Sequence, residues 1–248
     1  RDSQWCELAL RTLQPLDRLL DNSSDEDLAR LSRNIGIGGA TGLGSIVYAL
    51  VKISQLLQKP ELLKDAQKVA SLITLESIDS DRNFNLSEGV AGTILGLLAL
   101  YRVENENPKY LDLAIACGEH LLKQQTSIDN SLQAWKTWQN KQLTGFSQGA
   151  AGIAYSLLQL FAVTQDSRFL ESAKGAIAYE QNVFSVEAKN WQDLRGEQPC
   201  FRVSWAQGAA GIGLGRLGGL SILDTEAIRQ EIAIATETTQ RFALGDID

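Results

Sequence analysis

The sequence has few of the residues that build disulfide frameworks or metal sites. Its 248 residues include no methionine, one histidine and three cysteines. Cys6, Cys117 and Cys200 lie far apart without a CxxC pair, so neither a disulfide framework nor a local zinc knuckle is supported. Cys117 lies in the segment LAIACGEHLL, which predicts a buried free thiol in a helix. The missing initial methionine and the abrupt end ALGDID predict that the chain begins and ends inside a larger fold.

The sequence also lacks blocks of like charge and long apolar runs. Charged residues make up 21% of the chain, and the formal net charge of -7 is spread along it. Without a basic stripe, a nucleic-acid partner is excluded. No apolar run reaches the roughly 18 residues that a membrane helix needs, and the first residues, RDSQWCELAL, do not resemble a signal peptide. These absences predict a cytoplasmic protein without a membrane span.

What the sequence does contain is a fourfold repeat. Four times, a pair of glycines separated by two residues opens an apolar, helix-like segment. The first glycines of the pairs are Gly39, Gly89, Gly149 and Gly208, which gives a period of about 50 to 60 residues. Self-similarity at this spacing is typical of repeat folds, and the glycines allow sharp turns and a close approach of neighbouring backbones.

Segments with one polar face alternate with these apolar segments, and their spacing of apolar residues predicts amphipathic helices. The residues that open or cap them are Pro60, Pro108, Asp166 or Ser167, and Asp224 or Thr225. The alternation of inner and outer helices predicts an all-α fold, an incomplete α/α toroid of about four repeats. The connection 125–146 carries Trp135 and Trp138, which either line a binding mouth or only pin the loop.

Five segments in series carry a resemblance to a known family. They are GIGGATGLGSIVYAL, NFNLSEGVAGTILGLLALY, TGFSQGAAGIAYSLL, AYEQNVFSVEAKNWQDLR and SWAQGAAGIGLGRL. From about Asn34 onward the chain resembles the cyclase domain of class II lanthipeptide synthetases, in the lanthionine synthetase C-like family. The resemblance implies an α/α toroid. In active members it implies a central zinc ion that activates a peptide cysteine for addition to a dehydrated serine or threonine, giving a thioether ring.

The resemblance also places three residues without the expected chemistry at site positions. Ala206 stands where the family has its first cysteine ligand of zinc, and the other ligands belong to a later repeat. Gln148 stands where a histidine acid or base is common, and Asn85 where aspartate is frequent. Alanine cannot bind zinc, and an amide forms hydrogen bonds but does not transfer protons near neutral pH. Among these site positions of the family, Arg202 is the one at which this chain has a charged side chain.

Two other residues could in principle rebuild a metal site. His120 has no second histidine at helical spacing, so it is predicted to be a surface or packing residue. Cys200, six residues before Ala206, offers one thiolate, which is too few ligands for zinc. The candidate site is therefore Asn85, Gln148 and Arg202, with no metal ligand and no cofactor predicted for this chain.

The sequence thus predicts that residues 1–248 form a single lanthionine-cyclase-like domain fragment that does not bind zinc. It would retain peptide binding in a concave mouth through Arg202, Gln148 and Gln207. The implied partners are a leader-bearing precursor peptide and, beyond it, a dehydratase domain or missing toroid repeats. An open toroid would expose apolar flanks, so the chain is expected to dimerise, aggregate or need a partner.

Two alternative functions stay open at this point. The first is an active zinc-dependent thioether cyclase that segments or a partner outside this chain complete. The second is an α/α-toroid glycosidase that uses a pair of carboxylates. The carboxylates available near the predicted mouth are Glu88 and either Asp193 or Glu197. Glu88 at the start of a helix is equally well explained by the helix dipole.

Overall fold

The computed structural model describes residues 3–128 and 132–243, and this part of the chain is mostly helical. Its helices are α1 (Ser3–Asn22), α2 (Asp25–Ile35), α3 (Leu43–Leu57), α4 (Leu62–Ser71), α5 (Leu75–Ser80), α6 (Val90–Val103), α7 (Pro108–Gln124), α8 (Ala150–Thr164), α9 (Ser167–Asn182), α10 (Ala209–Gly219) and α11 (Glu226–Ala243). Its strands are β1 (Thr126–Ser127), β2 (Gln133–Ala134), β3 (Lys136–Trp138), β4 (Lys141–Gln142), β5 (Phe184–Ser185) and β6 (Asn190–Trp191). Most of the segment ALGDID, on which the expectation of truncation partly rests, lies outside the described residues.

The predicted alternation of inner and outer helices is confirmed. The apolar helices α3, α6, α8 and α10 pack side by side in that order, and α4, α7, α9 and α11 each pack on the inner helix that precedes them. The side chains of α6 are buried along most of its length, as are those of α8. Burial of these apolar stripes is the main force that holds the layers together.

Glycines set the distance between the first two inner helices. A Cβ on Gly96 of α6 would lie 2.4 Å from the carbonyl oxygen of Gly44 in α3. A Cβ on Gly92 would lie 2.3 Å from the amide nitrogen of Gly39. Only glycine permits this approach of the two backbones. The first repeat differs from the others in one respect: its helix begins after the second glycine, Gly42, because residues 36–42 form a separate turn.

The outer helices begin near the predicted residues. Asn107 caps α7 directly before Pro108, and Asp166 caps α9 through the amide of Arg168. The hydroxyl of Thr225 accepts a hydrogen bond from the amide of Ile228 at the start of α11. These caps satisfy helix amides that have no partner inside the helix. Helices α1, α2 and α5 were not predicted.

The long connections form three small antiparallel hairpins, β1–β2, β3–β4 and β5–β6. Trp135 is buried, and its indole Nε1 donates a hydrogen bond of 2.8 Å to the carbonyl of Leu121. Trp135 therefore anchors the loop to α7, while Trp138 is half-buried. Cys117 is a buried free thiol, as predicted. Within the described residues, no helix is both long and apolar enough to cross a membrane.

Candidate functional site

The loops that precede the four inner helices meet at one end of the fold. The amide of Gly39 donates to the carbonyl of Leu86, at 2.9 Å. The amide of Ser87 donates to the carbonyl of Ser147, at 3.1 Å, and the amide of Ser147 to the carbonyl of Ala206, at 3.2 Å. These main-chain hydrogen bonds join the four loops into one continuous arc. The glycine repeats therefore build a single shared surface.

A pair of serines adds a side-chain contact inside this arc. Ser87 and Ser147 occupy equivalent places in two repeats, two residues before the repeat glycine. Their hydroxyl oxygens lie 2.6 Å apart, and both side chains are buried. Each hydroxyl can donate and accept, so one of the two donates a hydrogen bond to the other. We assign it a structural role, because it fastens the loop before α6 to the loop before α8.

Two of the predicted site residues, Asn85 and Gln148, come together on the carboxylate of Glu88. The amide Nδ2 of Asn85 donates to Oε2 of Glu88 at 3.2 Å, and Nε2 of Gln148 donates to Oε1 at 3.3 Å. Asn85 also accepts a hydrogen bond from the backbone amide of Glu88, at 2.8 Å, and it is fully buried. Each carboxylate oxygen thus has one amide donor and keeps capacity for another. We call these three residues the carboxylate–amide cluster.

Carboxylates from outside the glycine motifs support the helix starts. The glycine caps of α6 and α8 have no side chain that could accept a hydrogen bond. Asp81 instead accepts from the amide of Val90, the first residue of α6, at 3.1 Å. Glu180 accepts from the amide of Ala151 in the first turn of α8, at 3.0 Å. A negative charge at this end of a helix also interacts favourably with the helix dipole.

Glu180 belongs to a buried ionic triad that ties three helices together. Arg216 on α10 donates from Nη2 to Glu180 at 2.8 Å and from Nε to Glu231 on α11 at 2.7 Å. Glu180 itself is fully buried near the end of α9. Burial raises the pKa of the Glu180 carboxyl, and the guanidinium of Arg216 acts against that shift. The triad therefore holds the carboxylate that supports the start of α8.

The third predicted site residue, Arg202, lies in a different network. Its Nε lies 3.1 Å from Oδ2 of Asp193, which also pairs with Arg195 at 2.6 Å. The hydrogen bonds from Arg195 lower the pKa of the Asp193 carboxyl, and the charge of Arg202 adds to this effect. The side chain of Arg202 is 60% exposed. The structure thus joins Asn85 to Gln148 but gives Arg202 a separate carboxylate partner.

The residues around Ala206 do not provide a ligand set for zinc. The Ala206 methyl group has no donor atom, and its carbonyl is used by the amides of Phe146 and Ser147. Across residues 3–128 and 132–243, no three His, Cys, Asp or Glu side chains are grouped so as to hold a metal ion. A zinc site needs at least three protein ligands. The described residues therefore do not fit a zinc ion.

The single histidine is a packing residue, as predicted. His120 is buried on α7, and its Nε2 lies 3.0 Å from the carbonyl oxygen of Asp81. Its ring packs against Phe84 with the centroids 5.6 Å apart. Asp81 is the residue whose carboxylate supports the start of α6, and His120 contacts the main chain of that residue.

Aromatic side chains line the neighbouring part of the arc. Phe146 contacts Tyr155 at 5.7 Å and Trp205 at 5.8 Å between ring centroids. Trp205 is 48% exposed. Gln207, the remaining predicted mouth residue, is buried, and its carbonyl accepts from the amide of Ser204.

The fold and the converging loops define a partial α/α toroid with its candidate site at the N-terminal ends of the inner helices. The structure is similar to the GH76A alpha-1,6-mannanase from Salegentibacter sp. HEL1_6, with a TM-score of 0.60 and 13% identity over 86% of this chain and 68% of that chain. An inactive variant of that enzyme in complex with alpha-1,6-mannotetrose gives the same values. At this identity the likeness shows the fold alone. Nisin cyclase matches with a TM-score of 0.45 and 16% identity over 95% of this chain and 78% of its own.

Comparison of the sequence with family models shows the family to which the chain belongs. The family model of the lanthionine synthetase C-like protein matches residues 1–246. The chain belongs to the lanthionine synthetase C-like family, as the series of motifs predicted. The match includes the first 33 residues, for which the resemblance made no prediction.

Proposed function

We propose that this member of the family binds a peptide at the arc of four loops and does not carry out zinc-dependent thioether formation. The carboxylate–amide cluster is the observation that carries this proposal. Gln148 and Asn85 stand where the family resemblance implies acid or base groups, and both are amides that donate to Glu88. Such a cluster can accept hydrogen bonds or a cation from a peptide. Its two amides cannot supply the proton that the enolate needs after thiol addition.

The proposed partner is a leader-bearing precursor peptide, as the family relationship suggests. A dehydratase domain or missing toroid repeats are proposed as an additional partner. The exposed ring of Trp205 and the spare hydrogen-bonding capacity of Glu88 support peptide contact, because peptide sites combine aromatic surface with a few oriented polar groups. The cytoplasmic location and the single-domain organisation stay predictions.

Metal content and ring formation test the proposal together. The protein is incubated with zinc, dialysed and analysed by inductively coupled plasma mass spectrometry. It is then mixed with a dehydrated, cysteine-containing precursor peptide. Ring closure does not change the mass of the peptide. The free thiols of the peptide are therefore counted by alkylation with iodoacetamide.

We expect zinc well below one ion per chain, no loss of free thiols beyond the protein-free control, and saturable binding of the peptide in fluorescence anisotropy. One zinc per chain together with faster loss of thiols would instead support the alternative of a complete zinc cyclase. Failure to bind the precursor peptide would contradict the proposed peptide binding.

The glycosidase alternative finds less support at this site. A glycosidase needs one carboxyl group that stays protonated as the general acid, which requires a raised pKa. Asp193 shows the opposite shift, because Arg195 and Arg202 hold its ionised form. The mannanase likeness is a likeness of fold. Hydrolysis of an alpha-1,6-linked mannan fragment, measured by release of reducing ends, is the control assay, and we expect none.

A further inference from the structure

A cleft beside the arc is formed by elements that the glycine repeats do not include. It lies between α2 on one side and the start of α5 with the following loop on the other, and its volume is about 440 Å³. Glu88 of the carboxylate–amide cluster also lines it. Pockets of about 300–1,000 Å³ are typical of small-ligand sites. The cleft is therefore large enough for a short ligand segment that also reaches the arc.

The walls of the cleft carry opposite charges. Arg33 on α2 lines one wall, Glu76 on α5 lines the other, and Glu88 before α6 is also part of the lining. In the described part of the chain, the side chains of Arg33 and Glu76 have no ion pair or hydrogen bond. Elsewhere on the same helix, Arg30 forms an exposed ion pair with Asp27 at 3.3 Å. Three carboxylates and one guanidinium thus line a shared space, with more negative than positive charge. The carboxylate of Asp81 already accepts from main-chain amides, such as that of Val90, which leaves Glu76 and Glu88 for a ligand.

The floor and the rim add a second kind of contact. Ile37 and Leu43 are buried beneath the cleft, and Leu72 is partly buried beside them. The side-chain amide of Asn83 at the rim makes no hydrogen bond within the described residues, so it can both donate and accept. An apolar floor with a few unsatisfied polar groups around it suits an extended segment that has main-chain amides and one apolar side chain.

We infer that this cleft binds a short basic peptide segment, with the cationic side chain at Glu88 and Glu76 and a main-chain carbonyl at Arg33. The inference rests on the proposed peptide binding, and it names the chemistry of the peptide and the place where it binds. Charge complementarity selects the peptide: a cation meets the two carboxylates, and the planar guanidinium of Arg33 meets a carbonyl oxygen. The apolar floor accepts the neighbouring aliphatic side chain.

The test uses fluorescein-labelled peptides of the form acetyl-Gly-Leu-Lys-Leu-Gly-amide, with the lysine exchanged for norleucine or glutamate. Anisotropy is measured against the wild type and the variants Glu76→Gln, Glu88→Gln and Arg33→Gln. Arg30→Gln is the matched control, because Arg30 lies on the same helix with a 72% exposed side chain and does not line the cleft. Glu76→Gln is the decisive variant, since Glu76 has no partner in the described fold and its exchange does not disturb the carboxylate–amide cluster.

We expect the lysine peptide to bind more tightly than its norleucine and glutamate forms, and to weaken as salt is raised. Glu76→Gln should weaken the lysine peptide about three-fold, as for an exposed ion pair, and Glu88→Gln about ten-fold, as for a hydrogen bond to a charged group. Arg33→Gln should weaken all three peptides alike. Arg30→Gln should change none.

Two results would overturn the inference. The first is equal binding of the three peptides. The second is binding of the lysine peptide that Glu76→Gln and Arg33→Gln leave unchanged. In either case a precursor peptide that still binds the wild type keeps the proposed function, with a different place of contact. Loss of binding by the precursor peptide itself would contradict the proposed function directly.

Discussion

Replacement of Arg216 by methionine should destabilise the protein strongly, because it leaves a buried carboxylate without its cation. The Arg216 side chain is 2% exposed and that of Glu180 is fully buried. Methionine fills much of the same volume, so the loss is mainly that of charge and of two hydrogen bonds, at 2.8 Å and 2.7 Å. Glu180 would keep only the two backbone amides of Gly145 and Ala151 as donors.

The size of the effect follows from comparable buried pairs. Removal of one partner of a buried ion pair costs about 3–5 kcal/mol. For a chain of this length, each kcal/mol lowers the melting temperature by about 2–4 °C, so a fall of roughly 6–20 °C is expected. Arg229→Met is the matched control, because Arg229 pairs with Asp224 at the surface with both side chains well exposed. That exchange should cost no more than about 1 kcal/mol.

Thermal and urea unfolding, followed by circular dichroism, measure both variants. The double variant Glu180→Gln with Arg216→Met should recover part of the loss, because a neutral amide oxygen still accepts from the two backbone amides without burying a charge. Equal melting temperatures for Arg216→Met and Arg229→Met would refute the assigned role of the triad. So would a double variant that is less stable than Arg216→Met alone.

Three further substitutions test separate features of the fold. Gly208→Ala should lower the free energy of unfolding, measured in urea, by more than the roughly 1–3 kcal/mol of backbone strain alone. The reason is that φ is +71° and that a Cβ would lie 1.8 Å from the carbonyl oxygen of Arg202. The pKa of Asp193 is lowered in the fold. Its ionised carboxylate therefore stabilises the fold above the unfolded pKa of about 4, and this stabilisation is lost as the pH falls through the folded pKa. Asp193→Asn should flatten this part of the curve of stability against pH. Trp135→Phe should lower the free energy of unfolding in urea by about 1 kcal/mol more than Trp191→Phe does. Both side chains are buried, but of the two indoles only that of Trp135 has a hydrogen-bond acceptor in the described residues.

Each of these predictions has a matched comparison. Gly196→Ala should change little, since a Cβ there would meet no atom closer than 3.8 Å, and a loss equal to that of Gly208→Ala would contradict the strain argument. Asp112→Asn, at an exposed position on α7 without an ion pair in the described residues, is the matched control for the loss of a carboxylate. Equal costs for the two tryptophan variants would show that the hydrogen bond of Trp135 contributes nothing.

The repeat could be predicted from the sequence because its signals are local. Each inner helix follows a glycine pair within a few residues, and each outer helix has its own cap or proline, such as Asn107 with Pro108. The buried triad could not be predicted, because Glu180 and Arg216 are 36 residues apart and belong to different repeats. Helix α2 lies before the first glycine pair and has no repeat partner, which explains why it was missed.

For the candidate site, the sequence named residues whose functional role stays a prediction. Asn85 and Gln148 were identified through the family resemblance, and the structure brings them together. The place of Glu88 between them was missed, although the repeat holds a signal for it. Glu88, Gln148 and Gln207 each stand directly before a repeat glycine, so side chains of this register lie on neighbouring loops. The partner of Arg202 was not predictable, because the loop that carries Asp193 folds back without a periodic pattern.

The arc of loops has a consequence for protein engineering. Its joints are made by amides and carbonyls of the main chain, such as the carbonyls of Ser147 and Ala206, and these groups are the same for almost any residue. Side chains at the half-buried positions Gln148 and Ala206 can therefore be exchanged with little effect on the path of the backbone. The arc is a scaffold of fixed geometry on which new ligands or acid–base groups can be installed one position at a time.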